Sequence, residues 1–441
     1  MKRVELPCKE FGHFDLVVAG GGCAGVFAAV RAARLGLKTA IVEKHNCFGG
    51  VATAGLVNVW HSILDIDGKE QIIAGLTEEV RSTLLKNGNA VLEDKVSPAV
   101  FFDPNVMKWE LDKLAVSAGV HIFFHTHYHA LQMEDRRITG VILGNKDGLG
   151  ILTGDFFIDA TGDGDLCRDG GVPSYRSDNP QPPSACYFLN GKIQGDLEKL
   201  VTEHGAQFGL EDDWGWDGIL PGLPGLSFRA DFHVFGKQMD RALDLTQAEI
   251  EGRQKIYALA ALLKKYDNPD IGIAALCSQI GIRETVHYET RFRANERDLL
   301  LGTGYEDTVM RGSYRVDIHH HQDNGITFKY LDGRKEVCYG KGNRTVCSNW
   351  REEEGITGPY ARYYQIPFEI LIQEHVDNLI PVGRMIHADQ GSFGALRVMV
   401  NLNQLGEAAG VAAWLALQED KTIQTVDGKS VQRILRQGGS I

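Results

Sequence analysis

The amino-acid sequence predicts an α/β fold, in which a parallel-sheet domain is assembled from both ends of the chain around an inserted α+β domain. Three observations predict it: a strand–helix–strand unit near the N-terminus, a buried strand ending on the turn at Gly162, and a strand followed by a long small-residue helix near the C-terminus. We expect residues 1–174 and 366–441 to form the first domain. The inserted domain covers mainly residues 175–365, with 280–300 as a candidate return to the first domain.

Composition excludes several classes of function. Hydrophobic residues make up 43% of the 441 residues and charged residues 24%, which is the composition of a globular protein. The net charge of −12, without a Lys/Arg cluster, argues against nucleic acid or an anionic membrane surface as a partner. Glycine accounts for 51 of the 441 residues, about 12% against the ~7% of average proteins, which suggests a large ligand close to the backbone.

Cysteine usage and apolar stretches predict the compartment. The eight cysteines contain no Cys-x-x-Cys pair, so neither a dithiol redox site nor a zinc ribbon is expected. The charge-free apolar stretch 16–30 has 15 residues, fewer than the ~18 needed to cross a bilayer. Acidic residues stand where a signal peptide would be basic. We therefore expect a cytoplasmic protein with no membrane partner.

The first element is typical of a dinucleotide-binding unit. Its parts follow one another as strand 14–19, the glycines of Gly20-x-Gly22-x-x-Gly25, helix 26–35, strand 38–42 and the acid Glu43. In such a unit the first glycine permits a tight turn, the second lets a pyrophosphate touch the backbone, and the third lets helix pack on strand. Glu43, 18 residues after Gly25, is placed to bind ribose hydroxyls. The alternative is an ordinary glycine turn.

A second glycine-rich loop, residues 45–55, follows Glu43 and includes Gly49 and Gly50. NAD-binding domains continue into another crossover at this point, whereas FAD-binding domains return a Gly-Gly turn over the pyrophosphate and flavin. This loop therefore favours FAD.

Further elements complete the predicted sheet and its cover. They are helix 103–118, strands 120–131, 138–143 and 154–158, the turn 159–165, helix 240–266, the strand and turn 378–384, and helix 397–417.

Taken together, these motifs resemble the FAD-dependent oxidoreductase family, whose fold is shared with fumarate reductase flavoproteins and glutathione-reductase-type enzymes. The resemblance implies an FAD enzyme with a small-molecule substrate, an unidentified electron donor or acceptor, and homo-oligomerisation as an open alternative. The expected cofactor-binding residues are Gly20, Gly22, Cys23, Ala24, Gly25, Glu43, Lys44, Gly49, Gly50, Ala52, Thr53, Tyr128, Thr161, Gly162, Asp163, Gly383, Arg384, Val398 and Met399.

The resemblance leaves the reaction open. The leading hypothesis is hydride transfer between a small organic substrate and flavin N5. The alternatives are an oxygen-using flavin hydroxylase and a non-redox protein that uses FAD or NAD as a scaffold. The position at which fumarate reductases carry a catalytic arginine holds Phe393 here, which argues against dicarboxylate chemistry.

Three residues are predicted to be catalytic. Arg397, at the predicted start of the last long helix, would contact flavin or substrate; alternatively it forms an ion pair with an acid of the inserted domain. His319 and His321 lie in a segment that resembles the family's active-site side, and an imidazole titrates near neutral pH. The His125, His127 and His129 repeat is interpreted as an exposed strand face, and no metal site is predicted.

Overall fold

The computed structural model describes residues 6–93, 98–211, 215–339 and 344–440. In chain order its strands are β1 (Lys9–Ala19), β2 (Thr39–Val42), β3 (Val59–Trp60), β4 (Ala90–Glu93), β5 (Ala99–Phe102), β6 (His121–Phe123), β7 (His127–Glu134), β8 (Arg137–Asn145), β9 (Gly148–Asp159), β10 (Ser174–Tyr175), β11 (Ser184–Asn190), β12 (Trp216–Ile219), β13 (Leu226–His233), β14 (Gly272–Leu276), β15 (His287–Tyr288), β16 (Thr308–Gly312), β17 (Val316–His319), β18 (Ile326–Lys329), β19 (Arg334–Tyr339), β20 (Arg344–Asn349), β21 (Tyr364–Pro367) and β22 (Leu379–Pro381).

The α-helices are α1 (Cys23–Arg34), α2 (Gly75–Lys86), α3 (Pro104–Ser117), α4 (Asp165–Asp169), α5 (Leu197–His204), α6 (Ala242–Tyr266), α7 (Glu296–Leu301), α8 (Trp350–Glu353), α9 (Gln390–Leu396), α10 (Met399–Gln418) and α11 (Gly428–Gln437). No helix in the described part of the chain is both long and apolar enough to span a membrane.

A seven-stranded sheet forms the centre of the α/β domain. Its strand order is β6-β2-β1-β9-β8-β7, and β22 from the C-terminal part pairs with β9. The strands β6, β2, β1, β9 and β22 are parallel, while β7 and β8 form an antiparallel extension. The Rossmann-like sheet assembled from both ends of the chain is therefore confirmed.

One predicted strand is divided in two. The segment 120–131 forms β6 and β7, which lie at opposite ends of the sheet. His125 lies between them with φ +50°, in the left-handed region that breaks an extended run. Strand periodicity alone does not reveal this break, because the residues on both sides are β-forming.

The glycines of α10 bring it against another helix. A Cβ on Gly406 would lie 2.2 Å from the Ala24 carbonyl oxygen, and one on Gly410 would lie 2.5 Å from that of Ala28. Two glycines four residues apart thus form a flat face on which α1 rests. The small residues of α10 make its closest approach to α1, and the same helix also contacts β9 of the central sheet.

The apolar core reaches further into the middle of the sequence than predicted. Val309 and Met310 of β16, and Tyr364 and Ile366 of β21, belong to the same buried cluster as α1 and α10. The strands β16 and β21 pair with each other beside α10 and α11. Parts of the segment 175–365 therefore pack with the nucleotide side of the molecule.

The remaining middle segment forms two antiparallel sheets, which we call the cap. One sheet has the order β12-β13-β11-β14, with α6 packed on it; the other is the meander β17-β18-β19-β20. The helix α6 buries one face of the first sheet, whereas in the meander only β17 is mostly buried and β20 is mostly exposed.

Candidate active site

A cavity of about 930 Å³ lies between the central sheet and the cap. On the sheet side it is lined by residues at the carboxyl ends of parallel strands, including Gly20 after β1, Glu43 after β2, Thr161 after β9 and Gly383 after β22. This is where open α/β sheets bind ligands, and the volume is at the upper end of the ~300–1,000 Å³ of small-molecule sites.

The three glycines of the first loop have different structural roles. Gly20 has φ +98°, and a Cβ there would lie 2.3 Å from the Ala160 carbonyl oxygen. A Cβ on Gly25 would lie 1.8 Å from the Gly20 oxygen, so this glycine is needed for helix–strand packing. A Cβ on Gly22 would meet nothing within 4 Å, although Gly22 lines the cavity. The protein itself therefore does not require glycine at position 22, whereas a ligand close to the backbone would.

Glu43 ties the first loop to the end of β2. Its carboxylate accepts hydrogen bonds from the backbone N–H groups of Gly21 (2.7 Å) and His45 (2.8 Å). The buried Glu43 still lines the cavity. The second loop lies against the first: the Gly49 N–H donates to the Gly21 oxygen at 2.9 Å. The two glycine-rich loops thus form one surface, as the order of the motifs predicts.

The turn after β9 is held by a buried carboxylate. Asp159 accepts from the Thr161 hydroxyl (2.8 Å) and from the Cys167 N–H (2.9 Å), and burial raises the pKa of Asp159 to about 6. Arg384 donates to Asp163 at 2.6 Å. A Cβ on Gly162 would lie 2.2 Å from the Arg384 guanidinium, so this glycine leaves room for the arginine.

The cavity brings together fourteen of the nineteen expected cofactor-binding residues: Gly20, Gly22, Cys23, Ala24, Glu43, Lys44, Gly50, Tyr128, Thr161, Gly162, Gly383, Arg384, Val398 and Met399. The other five do not line it, and they are Gly25, Gly49, Ala52, Thr53 and Asp163. Of these, Thr53 is buried and donates to the Phe48 oxygen, and Asp163 pairs with Arg384. Their structural role is to hold the loops that line the cavity.

Two helix N-termini face the cavity, and both suit an anionic or electron-rich ligand. Gly22 is the N-cap of α1 and Val398 that of the 20-residue α10; neither cap has a side-chain hydrogen bond. Uncapped N–H groups and the positive end of the helix dipole favour negative charge. With the open space at Gly22, the residues present fit a dinucleotide: the N-terminus of α1 would hold its pyrophosphate, and the N-terminus of α10 would supply further positive charge.

Arg397 lies between two helices rather than at the start of one. It is the C-cap of α9, and α10 begins at Met399. Its guanidinium lies 3.4 Å from the Asp317 carboxylate of the cap, and Arg397 also lines the cavity. The predicted helix boundary was therefore wrong by two residues. The ion pair with a cap acid, the alternative considered for this arginine, is present.

His319 belongs to a buried chain of polar side chains in the cap. Its Nδ1 lies 2.7 Å from Nε2 of His233, and its Nε2 lies 3.3 Å from the Asp317 carboxylate. Tyr314 donates to the other oxygen of Asp317 at 2.6 Å. Asp317, His319 and His233 all line the cavity, so this chain connects two imidazoles to one carboxylate at the cap wall.

Charge and burial set the protonation of this chain. Burial, followed by the nearby Arg283 and then His233, holds the pKa of His319 well below its usual value. Burial alone would raise the pKa of Asp317, but Arg397, Arg315 and the Tyr314 hydroxyl outweigh it, and that pKa is lowered. Asp317 is therefore ionised and His319 neutral at pH 7.

Several residues of the site were missed by sequence reasoning. The ring of His61 lies 4.0 Å from that of Tyr314, and burial, then Arg315, lowers the pKa of His61 to about 3. His233 ends β13, and Arg283 donates to the Pro182 oxygen at 2.6 Å and to the Ser184 hydroxyl at 2.9 Å. These residues lie far apart in the sequence and share no motif spacing.

His321 is not brought to the site. β17 ends at His319, so the alternation that would place His321 on the same face stops there, and His321 does not line the cavity. Of the other histidine repeat, His127 lines the cavity while His125 is exposed between strands. No metal-binding group of three or more ligands occurs among the described residues. Burial raises the pKa of Cys23 to about 12, which leaves its thiol unreactive.

Comparison with known proteins identifies the family. Residues 15–435 match the family described as FAD dependent oxidoreductase. The chain belongs to this family. FAD is accordingly the cofactor, and the protein is an FAD-dependent oxidoreductase enzyme.

The curated relatives share only part of their length with this chain. Dihydrolipoamide dehydrogenase of Chaetomium thermophilum is 31% identical over 127 residues, 22% of this chain and 25% of that protein. Soluble pyridine nucleotide transhydrogenase of Chromohalobacter salexigens is 29% identical over 158 residues, 34% of this chain and 31% of that protein. The chain therefore spans about a quarter to a third of these two relatives.

Solved structures match over nearly the whole chain. A geranylgeranyl bacteriochlorophyll reductase-like protein from Thermoplasma acidophilum has a TM-score of 0.50 at 12% identity, covering 97% of this chain and 84% of that one. p-Nitrophenol 4-monooxygenase from Pseudomonas putida has a TM-score of 0.44 at 10% identity, covering 96% and 85%. At these identities the likeness concerns the fold alone.

Proposed function

We propose that the enzyme transfers a hydride between a carbon of a small organic substrate and N5 of the bound flavin. The observation that carries this proposal is the chain of His233, His319 and Asp317 at the cap wall, opposite the helix N-termini of the nucleotide side. Hydride removal from an alcohol or amine also requires loss of a proton from oxygen or nitrogen, and an imidazole pair can take it.

Asp317 sets the direction of the hydrogen bonds in this chain. His319 is neutral, and the ionised Asp317 carboxylate 3.3 Å from its Nε2 favours the tautomer with the proton on Nε2, which leaves Nδ1 to accept from His233. The carboxylate also stabilises the imidazolium formed when the pair takes up a proton. Asp317 therefore positions and polarises the histidines, and His319, neutral at rest, is available to accept the proton.

Arg397 joins the two walls of the cavity. Its guanidinium pairs with Asp317 of the cap, and the next two residues, Val398 and Met399, present the N-terminus of α10 to the cavity. Positive charge at this place would stabilise the anionic form of the reduced flavin. The cofactor, when bound, supplies the hydride-accepting chemistry. The remaining predicted cofactor contacts follow from the loops already described.

The test is anaerobic reduction of the purified holoenzyme by a panel of small alcohols and amines, with oxidation of the reduced enzyme by enoates. We expect at least one compound to change the flavin spectrum at a rate that saturates with concentration. If every compound fails, and a chemically reduced enzyme instead inserts oxygen into an added aromatic compound, hydride exchange with substrate is contradicted and the hydroxylase alternative is supported.

NADH and NADPH serve as the comparison in the same experiment. The sequence contains no second Gly-x-Gly-x-x-Gly unit after a strand, so we expect them to reduce the flavin more slowly than about one per second. Faster reduction would also favour the hydroxylase alternative, because such enzymes take their electrons from a nicotinamide.

A further inference from the structure

The side chains that line the cavity change from polar at its inner end, near His319, to apolar at its mouth, near Trp216. Trp216, Ile219 and Tyr339 line it and are 39%, 47% and 37% exposed. Single exposed apolar residues need no explanation, but three at one cavity mouth indicate a binding surface. Phe101 extends this surface inward, with its ring 6.2 Å from that of Trp216.

The meander of the cap shows this change strand by strand. His319 pairs with Ile326 of β18, which pairs with Cys338 of β19, and all three line the cavity. Asp317 pairs in the same way with Phe328. At ~4.8 Å between neighbouring strands, the surface passes from an imidazole to apolar side chains over roughly 10 Å.

The second wall changes over the same distance. Along β13, His233 lies three residues from Ala230, or roughly 10 Å at ~3.3 Å per residue, and Ala230 pairs with Trp216 of β12. Ala230 lines the cavity together with its two pairing partners, Trp216 of β12 and Cys186 of β11. Both cap sheets thus lead from the proton-holding residues to an aromatic mouth.

Charge differs between the two ends as well. Arg397 pairs with Asp317 at the inner end, and Arg315 lies over the ring of Phe328, 4.2 Å from its centre. Both arginines line the cavity, and the Nε atom of each is buried without a hydrogen-bond partner among the described residues. At the outer end the lining includes the carboxylate of Asp217, next to Trp216 on β12. The two arginines outnumber the ionised Asp317 at the inner end, so an anionic group is attracted inward and repelled by Asp217 at the mouth.

We propose that the substrate is an amphipathic organic acid, whose acid group lies toward Arg397 and Arg315 and whose apolar part extends along Ile326 and Cys338 to Trp216. This inference rests on the proposed function, because it names the substrate class of the same site. It accounts for the exposed aromatic mouth, which a small polar substrate would leave unused.

Binding to the oxidised holoenzyme tests the proposal without turnover. The probes are straight-chain carboxylates from butanoate to dodecanoate, followed by perturbation of the flavin spectrum, with dodecanol and dodecylamine as head-group controls. We expect the dissociation constant to fall about fourfold for each added methylene, equivalent to ~0.8 kcal/mol, until the chain passes the mouth. The alcohol and the amine should bind at least about tenfold more weakly than dodecanoate, because a charge-assisted contact is lost.

Two variants locate the subsites. Trp216→Ala should reduce the gain per methylene for the longer chains, and Arg397→Gln should remove the preference for the acid over the alcohol. Trp109→Ala is the matched control, since Trp109 is 59% exposed on α3 and does not line the cavity. Flavin content measured in each variant shows that the cofactor is retained.

The outcomes separate this inference from the proposed function. Affinity independent of chain length, or equal binding of dodecylamine, would overturn the amphipathic acid. Chain-length-dependent binding of acids with no flavin reduction by any hydride donor would support the substrate class and contradict hydride transfer. Flavin reduction by short alcohols, together with carboxylate affinity that does not depend on chain length, would support hydride transfer and contradict the substrate class.

Discussion

The two walls of the cavity recognise their ligands by different means. The nucleotide wall is made of backbone: glycines at Gly20 and Gly22, and the N-termini of α1 and α10. The cap wall is made of side chains, among them His319, Asp317 and His233. A backbone site can bind a phosphate group in any protein with the same turn, whereas a side-chain site is specific to one substrate and one reaction.

The largest effect is expected on the nucleotide wall, where Gly22→Val should abolish FAD binding. Since a Cβ at position 22 meets no protein atom within 4 Å, and since φ is −71°, the variant should fold normally. The valine side chain instead occupies the space next to the N-terminus of α1. We expect wild type to carry one FAD per chain and the variant none, measured by release of the nucleotide on heating.

Gly25→Ala is the control for this substitution. Its new methyl group would lie 1.8 Å from the Gly20 oxygen, so it should lower the melting temperature of the protein whether or not FAD is present. If Gly22→Val retained FAD, or lost it only together with the fold, the distinction between the two glycines would be wrong.

The residues of the nucleotide wall could be predicted from the sequence better than those of the cap wall. The reason is that the first are close together in the sequence and the second are far apart. The loop from Gly20 to Glu43 is one contiguous strand–helix–strand unit, so its spacing is visible in the sequence. His61, His233 and His319 meet only because three sheets converge, and no local pattern records their proximity. Of the catalytic predictions, Arg397 and His319 reach the cavity and His321 does not.

On the cap wall, His319→Ala should slow substrate-dependent flavin reduction by about 10²–10⁴-fold, because the imidazole chain loses its middle member. FAD content should remain at the wild-type level, since the nucleotide wall is untouched. Single-turnover reduction at saturating substrate measures the effect. His13→Ala is the control, because His13 is exposed on β1 and does not line the cavity; a wild-type rate in His319→Ala would place the chemistry elsewhere.

Arg397→Gln tests the residue that joins the walls. Loss of one charge-assisted contact, worth ~1.5–3 kcal/mol, should lower kcat/KM by roughly 10–150-fold. With the guanidinium near the flavin, its loss should also lower the reduction potential of the flavin, because the anionic reduced ring is less stabilised. Arg397→Lys, which keeps the charge, should recover the potential better than the glutamine variant. An unchanged potential and kcat/KM in both variants would leave Arg397 with a structural role only.

The smallest expected effect is on the free energy of unfolding, through His61, whose ring packs against that of Tyr314. Its pKa in the folded protein is about 3, lowered first by burial and then by Arg315, against ~6.5 in an unfolded chain. Between these values the unfolded chain binds a proton that the folded protein does not. The free energy of unfolding therefore falls as pH decreases below 6.5.

The substitution His61→Phe keeps the ring beside Tyr314, 4.0 Å away in the wild type, and removes the titration. One full proton corresponds to ~1.4 kcal/mol per pH unit, and the partial exposure of His61 should reduce this to about 1 kcal/mol or less. Urea unfolding with FAD in excess, at pH 5, 6 and 7.5, measures both proteins. We expect the variant to lose less stability than wild type between pH 6.5 and 5, and the two to run parallel above pH 7.5, where neither state binds the proton. Parallel curves over the whole range would show that His61 titrates normally and that the cap wall does not desolvate it.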